Sequence, residues 1–207
     1  MNQARRRIVQ TLLAAGPAIV LPAAALANGL VNGQASAATA PVSASAAAVL
    51  DQGRLLSLPG ARLAGQGLLR FWGLEVYQAR LWVGPGFRPE SFASQPFALE
   101  LEYRRAFKAS AIAERSIQEM RRLGSFSDTQ ARRWQRALQA ALPDVRPGDR
   151  IVGLNRPGQG VRFEQDGRLL GELADPEFAR LFFAIWLAPA SPEPALREAL
   201  LAGLAAD

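Results

Sequence analysis

Apolar and polar residues alternate with a period of two in several segments of this chain, which is the pattern of β-strands. The clearest is FALELEY at residues 97–103, where the odd-numbered positions predict a buried face. Glu100 and Glu102 predict a face in solvent. The other strands predicted in this way are Leu55–Leu58, as a short edge strand, then Gln66–Phe71, Leu74–Val83, Arg150–Leu154, Val161–Gln165 and Arg168–Leu173.

Two dipeptides predict tight turns between neighbouring strands. Asp166-Gly167 favours a primed turn, because both of its central residues need positive φ, and Trp72-Gly73 lies between two strand patterns. Neither face of the predicted strand 74–83 is cleanly polar. We therefore expect that strand to be covered on both sides for part of its length.

Four segments have the helical period instead. The first is Ala109–Leu123, with Ser110 as the expected N-cap, and the second follows Ser127, with Gln130 completing a capping box. The third is an aromatic-rich helix after Asp175-Pro176, and the last covers Pro192–Leu204. Strands, a helix pair, more strands and two helices indicate an α+β fold. We expect an antiparallel β-sheet with helices layered on one face.

The N-terminus has the composition of an export signal. Arg5-Arg6-Arg7 precedes a mildly apolar core, and Ala25-Leu26-Ala27 has the small-residue pattern of a cleavage site. We expect residues 1–27 to be a signal peptide, either twin-arginine or ordinary secretory, and the protein to be periplasmic. Residues 28–48, rich in Ala and Ser, predict a flexible linker, and 49–207 the folded domain. After cleavage, no stable membrane span is expected.

Composition excludes several classes of chemistry. The chain has no cysteine and no histidine, so a thiol nucleophile, a Ser-His-Asp triad and the commonest metal sites are ruled out. We expect neither a metal nor a cofactor. Three of the 24 basic residues lie in the predicted signal peptide, which lowers the net charge from +6 to about +3. The remaining basic residues are scattered, so nucleic-acid binding is not expected.

Several motifs together resemble the chalcone isomerase-like family, in its bacterial exported branch. They are LELEYRR at 99–105, IAERSIQEM at 112–120, DVRPGD at 144–149, PGQG at 157–160 and FARLFFAIWL at 178–187. The resemblance implies an open-faced sandwich shared by plant chalcone isomerases and fatty-acid-binding relatives. It also implies a site between sheet and helices for a small apolar or amphipathic ligand.

The positions that carry ring closure in the plant enzymes are mostly changed here. By a rough alignment, the enzymes' hairpin threonine falls near Tyr77 and their asparagine near Arg115. Their tyrosine falls near Lys108 and their late hydroxyl residue near Ala184, while Arg62 and Arg70 bracket their arginine. No catalytic residue is therefore assigned.

The ligand-binding candidates are Tyr77, Tyr103, Arg105, Arg115, Glu119, Phe182 and Trp186. Arg105 at the end of a strand could pair with a carboxylate ligand, or with Glu119 or Glu114 of the following helix. Each of the others also has a structural alternative. Tyr77 suits a core position with a polar tip, Arg115 and Glu119 have the spacing of an ordinary helical ion pair, and the aromatic residues suit plain core packing.

Three functions stay open at this point. The first is a periplasmic binder of an acyl chain or phenolic acid without turnover, in which Arg105, Tyr103 and Tyr77 hold the polar end. The second is an isomerase, an intramolecular lyase acting on an enone. The third is an interaction or structural protein whose pocket is filled by its own side chains. The oligomeric state is left open.

Overall fold

A computed structural model describes residues 50–51, 54–55 and 57–204. The predicted signal peptide and linker lie outside the described residues. The strands are β1 Leu50–Asp51, β2 Arg54–Leu55, β3 Arg62–Phe71, β4 Leu74–Val83, β5 Phe97–Tyr103, β6 Arg150–Arg156, β7 Gly160–Gln165 and β8 Arg168–Leu173. The helices are α1 Ala109–Leu123, α2 Asp128–Ala141, α3 Pro176–Leu187 and α4 Pro194–Leu201, and a 3-10 segment spans Pro89–Ser94.

Strands β3 to β8 form one six-stranded antiparallel sheet in sequence order. Helices α1 and α3 pack on each other, α2 contacts β8, and α4 contacts β3. The main core lies between the helices and one face of the sheet, where Phe97, Trp134 and Phe183 are among the large side chains that are fully buried. The fold is therefore α+β with helices on one face, as the sequence predicts.

The opposite face of the sheet differs from the prediction of a solvated surface. Trp82, Ala98, Val152 and Leu154 form a second apolar cluster there, and Leu58 and Ala61 pack against it. Glu100, expected in solvent, has no exposed surface. It accepts hydrogen bonds from Arg80 at 2.8 Å and from the Trp82 indole at 3.1 Å. Such a paired carboxylate can be buried because each lost water contact is replaced.

Two predictions at the start of the domain are wrong in detail. The segment Leu55–Leu58 is not an edge strand of the large sheet: Leu55 pairs with Leu50 in a separate two-stranded unit, and residues 57–58 lie in a turn. Strand β3 begins four residues earlier than predicted, at Arg62. Its early part was missed because Gly65 resembles a turn residue. The structure uses that glycine to admit α4, whose Ala199 carbonyl would collide with a side chain there.

The start of α1 also differs from the prediction. Ser110 does not cap it; the N-cap position is Lys108, and its side chain makes no capping bond. Asp144, distant in sequence, accepts the Ala109 backbone N–H at 2.9 Å and the Lys108 ammonium at 2.7 Å. The bond from Lys108 is the main cause that lowers the pKa of Asp144. The capping box of Ser127 and Gln130 on α2 is confirmed.

Asp175 caps α3 and thereby sets the direction of the aromatic helix. Its carboxylate accepts the backbone N–H groups of Glu177 and Phe178. The other carboxylate oxygen accepts the Trp134 indole N–H at 2.7 Å, and Arg133 at 2.8 Å. One side chain therefore joins α2 to the first turn of α3. No described helix is both long enough and apolar enough to cross a bilayer.

Candidate functional site

Two tyrosines face each other across β4 and β5 under the helical layer. Tyr77 and Tyr103 are register partners, and their rings meet edge to face at 6.1 Å between centroids. Leu69 on β3 is the partner of Tyr77 on the other side. A register shift lies next to this row, between Leu69 and Arg70, and leaves Val76 unpaired with β3. Such a bulge re-aims the neighbouring side chains, which is common beside functional sites.

Helix α3 contributes Trp186 to this row. Its indole nitrogen donates a hydrogen bond of 3.0 Å to the Tyr77 hydroxyl oxygen. A hydroxyl that accepts one bond keeps its own proton free for a second partner. Tyr77 retains some exposed surface. The proton of the Tyr77 hydroxyl is therefore left for a second partner.

Helix α1 carries an ion pair whose arginine is close enough to Tyr77 to influence its pKa. Nη2 of Arg115 lies 2.5 Å from Oε1 of Glu119, and Arg122 reaches the other carboxylate oxygen at 3.2 Å. The side chain of Glu119 is only 5% exposed, whereas that of Arg115 is 29% exposed. The contact with Oε1 is an ion pair without hydrogen-bond orientation. Nη1 of Arg115 and Oε1 of Glu119 are both buried with no hydrogen-bond partner in the described structure. One strong donor and one acceptor of the same ion pair are therefore left over.

The electrostatics join these groups into one site. Burial lowers the pKa of Arg115, and the charge of Glu119 partly offsets this effect. Burial raises the pKa of Tyr77 and of Tyr103 above the ordinary value of tyrosine. Tyr77 also feels the charges of Arg115 and of Glu193, which lies just before α4. We call Tyr77, Tyr103, Arg115, Glu119 and Trp186 the Tyr77 cluster.

Phe182, predicted to contact a ligand, lies in the core beside this cluster. It stacks on Phe178 and meets Phe163, Phe183 and Trp186 edge to face. Phe182 is 6% exposed and Trp186 7%. Of these two residues, only Trp186 makes a hydrogen bond to another member of the cluster. Phe182 supports the position of Trp186 by ring contact.

Arg105 does not join the cluster. It is exposed, beyond the last residue of β5, and makes no ion pair or hydrogen bond with another described residue. The predicted pairing of Arg105 with Glu119 or Glu114 is wrong. Glu119 pairs with Arg115 and Arg122, and Glu114 accepts from Gln118. The strand ends at Tyr103, where the chain turns outward before α1 begins.

Sequence reasoning missed several members of the site. Leu69, Phe107 and Ile112 are partly buried apolar residues packed against the core. Phe107 meets the Tyr103 ring at 6.0 Å, and Leu69 is level with Tyr77 on the sheet. Glu193 has no local motif that would single it out. Only the strand register and the helix positions bring these residues to one end of the sheet.

Two positions matched to the plant enzymes lie in other surroundings. The ammonium of Lys108 is bound to Asp144. Ala184 lines a surface groove of about 420 Å³ between the 3-10 segment and α3, which also includes Leu123, Arg180 and Ala188. Arg180 is held there by Glu177 at 2.6 Å. In the described part of the chain, acidic side chains form no group of three that could hold a metal ion.

Comparison with known proteins agrees with this architecture. A fatty-acid binding protein of Arabidopsis thaliana has the same fold, with a TM-score of 0.56 and 15% sequence identity over 72% of this chain and 92% of that one. A search of curated proteins finds no significant match. The family model described as chalcone isomerase-like matches residues 55–202. Since this match covers well over half of the sequence, the chain belongs to the chalcone isomerase-like family.

Proposed function

We propose that the protein binds a small amphipathic molecule with an acidic head, of the fatty-acid or phenolic-acid class, without turning it over. One observation carries this proposal. Nη1 of Arg115 is buried without a hydrogen-bond partner, and it belongs to a guanidinium that interacts electrostatically with the Tyr77 hydroxyl. A buried donor that lacks a partner is costly, so its retention points to a ligand that satisfies it.

The chemistry of the two donors favours a carboxylate. The guanidinium can give a charge-assisted hydrogen bond, and Tyr77 can give a second one, because Trp186 occupies an acceptor site of its oxygen. Arg115 thus takes the role first predicted for Arg105, whose exposed position suits it less. Tyr103 supports Tyr77 by ring contact.

The apolar part of the ligand would lie along the exposed edge of the core. Leu69, Phe107 and Ile112 offer partly buried apolar surface at the cluster. Trp186 forms the inner wall, and Phe182 backs it. A site with a few polar groups at one end and apolar walls is the usual form of a lipid or small-molecule site.

The residues at the matched positions do not favour turnover. Ala184 has no hydroxyl, and Lys108 is engaged with Asp144. The related fold of a fatty-acid binding protein supports binding as the function. From the N-terminal sequence alone, we propose that binding takes place in the periplasm.

Calorimetric titration with saturated fatty acids tests the proposal. Arg115→Met should weaken binding by about 10- to 100-fold, the free energy of one or two charge-assisted hydrogen bonds. Arg122→Met is the matched control, because Arg122 pairs with the same Glu119 but is 44% exposed. Equal affinities of the two variants would contradict the assigned head-group site.

Two further outcomes distinguish the other functions. Cyclisation of a chalcone by the purified protein would identify an isomerase and overturn the proposal. Native mass spectrometry of the protein from its own host shows what co-purifies. If the protein is empty and binds no acid of any chain length, its pocket is filled by its own side chains and it is an interaction or structural protein.

A further inference from the structure

The turn between β3 and β4 exposes an aromatic group. The Trp72 side chain is 72% exposed, and its ring stacks on Phe71 at 5.8 Å. Leu74, at the start of β4, is 43% exposed. We call residues Phe71–Leu74 the hairpin tip. Single exposed apolar residues are normal, but here Trp72 and Leu74 are exposed together at the end of a hairpin, with the half-buried Phe71 beside them.

The backbone makes tryptophan an unfavourable choice at this place. Trp72 has φ 49° and Gly73 φ 77°, a turn in which Asn-Gly and Asp-Gly are preferred. The same chain uses Asp166 and Gly167, at φ 50° and 74°, for the turn between β7 and β8. A bulky residue held at positive φ is an outlier, and such outliers cluster at functional sites. Packing explains little of it here, because the Trp72 side chain is 72% exposed and stacks only on Phe71 among the described rings.

Exposed basic side chains lie at the same end of the sheet as the hairpin tip, spread from the end of β5 to the far edge strand β8. The end of β5, the loop before β6 and the β7–β8 turn all lie there, as the strand pairing requires. Arg105, Arg146 and Arg168 are exposed, and their side chains make no ion pair with another described residue. An exposed tryptophan together with arginines that have no ion-pair partner among the described residues suits the boundary of an anionic bilayer.

We propose that this end of the sheet docks on a membrane surface that contains anionic phospholipid. Trp72, Phe71 and Leu74 enter the head-group region, and the three arginines contact lipid phosphates. Tryptophan favours this region because its ring is apolar and its N–H is polar. The contact does not depend on the proposed function. If both hold, Leu69 and Tyr77 beside the hairpin tip would bring the ligand site to the membrane.

Tryptophan fluorescence gives a local test on the full chain. Trp82, Trp134 and Trp186 are 3%, 1% and 7% exposed, and residues 1–49 contain no tryptophan. Vesicles of phosphatidylcholine and phosphatidylglycerol that carry brominated acyl chains should therefore quench Trp72 selectively. Vesicles of phosphatidylcholine alone should quench it much less. Absence of quenching by the anionic vesicles would overturn the proposal.

Two variants separate the hairpin tip from the rest of the protein. Trp72→Asn, which suits the turn, should lower partitioning to anionic vesicles about 10-fold or more. Leu63→Ala is the control, because Leu63 is 40% exposed on β3 but lies at the opposite end of the sheet. Both variants keep the N-terminal segment, so any lipid binding by that segment contributes equally to the two and cancels in the comparison. Equal partitioning of Trp72→Asn and Leu63→Ala would reject the hairpin tip as the contact.

Two further experiments test the arginines and self-association of the protein. Each of Arg105→Gln, Arg146→Gln and Arg168→Gln should weaken binding to the anionic vesicles by about five-fold. No effect in all three would contradict the assigned orientation. If the Trp72 emission shifts with protein concentration in the absence of lipid, and Trp72→Asn abolishes that shift, the hairpin tip binds a second copy of the chain and the membrane proposal fails.

Discussion

The indole N–H of Trp186 and the hydroxyl of Tyr77 are joined by a 3.0 Å hydrogen bond across 109 positions of sequence. This bond links the aromatic helix α3 to strand β4 at the candidate site. Because Trp186 is almost fully buried, its N–H has no water to replace Tyr77. The bond therefore contributes to stability as well as to the orientation of the hydroxyl proton.

Tyr77→Phe should lower the free energy of unfolding by about 1–3 kcal/mol, since it leaves the Trp186 N–H buried without an acceptor. Tyr103→Phe is the matched control, because the Tyr103 hydroxyl makes no hydrogen bond with a described residue. Its effect should be below about 1 kcal/mol. Urea denaturation followed by circular dichroism measures both. An equal loss in the two variants would show that the bond contributes little.

Stability should fall as the pH rises above about 10, the ordinary pKa of tyrosine. Burial raises the pKa of Tyr77 and of Tyr103 in the folded state. The folded chain therefore keeps protons that the unfolded chain releases, and folding loses this contribution as the pH rises toward the folded pKa. These two are the only tyrosines in the chain. Tyrosinate absorbance should thus appear together with loss of the circular-dichroism signal; ionisation in the intact fold would contradict this.

Asp175→Ala should be more destabilising than an ordinary loss of a cap. The carboxylate caps α3 and also accepts the indole N–H of Trp134 at 2.7 Å. We expect a loss of about 2–4 kcal/mol in unfolding free energy. Ser127→Ala removes only the cap of α2 and should cost about 1 kcal/mol. Thermal denaturation compares them, and similar melting temperatures would count against the Trp134 contact.

Arg80→Met tests the buried charges on the other face of the sheet. Arg80 pairs with Glu100 at 2.8 Å and with Glu102 at 3.1 Å, and the Glu100 side chain is 1% exposed. Removing the cation leaves a buried carboxylate and should cost about 3–5 kcal/mol. Arg156→Met breaks an exposed pair with Glu172 and should cost less than about 1 kcal/mol. Chemical denaturation measures both variants. Similar losses of unfolding free energy in the two would contradict the role of Arg80 in neutralising a buried carboxylate.

The period of two in apolar residues was sufficient to predict most of the sheet, and the helical period to predict all four helices. Alternation also placed Tyr103 on the face that carries the core, whereas it did not decide between the two faces of the strand that holds Tyr77. Alternation cannot tell a solvated face from one covered by a distant segment. Glu100 shows this, because the covering residues Leu58 and Ala61 precede it by many positions.

The candidate site was predicted in part, for a similar reason. Tyr77, Tyr103, Arg115, Glu119 and Trp186 come together because strand register and two helices converge there. Arg105 was chosen from its place at a strand end, but the sequence pattern does not indicate which way the chain leaves the sheet. The cap of α1 by Asp144 likewise depends on a tertiary contact. Local sequence patterns do not indicate partners that are brought together only by the tertiary structure.

Helix α4 lies on the backbone of β3, where Gly65 and Gly67 leave room for it, and Arg62 bonds to the Gly203 carbonyl 141 positions later. During synthesis, β3 leaves the ribosome long before the helix that covers it. The edge of the sheet formed by β3 thus stays open until α4 has been synthesised. We expect the domain to close late, because its most distant contacts form last.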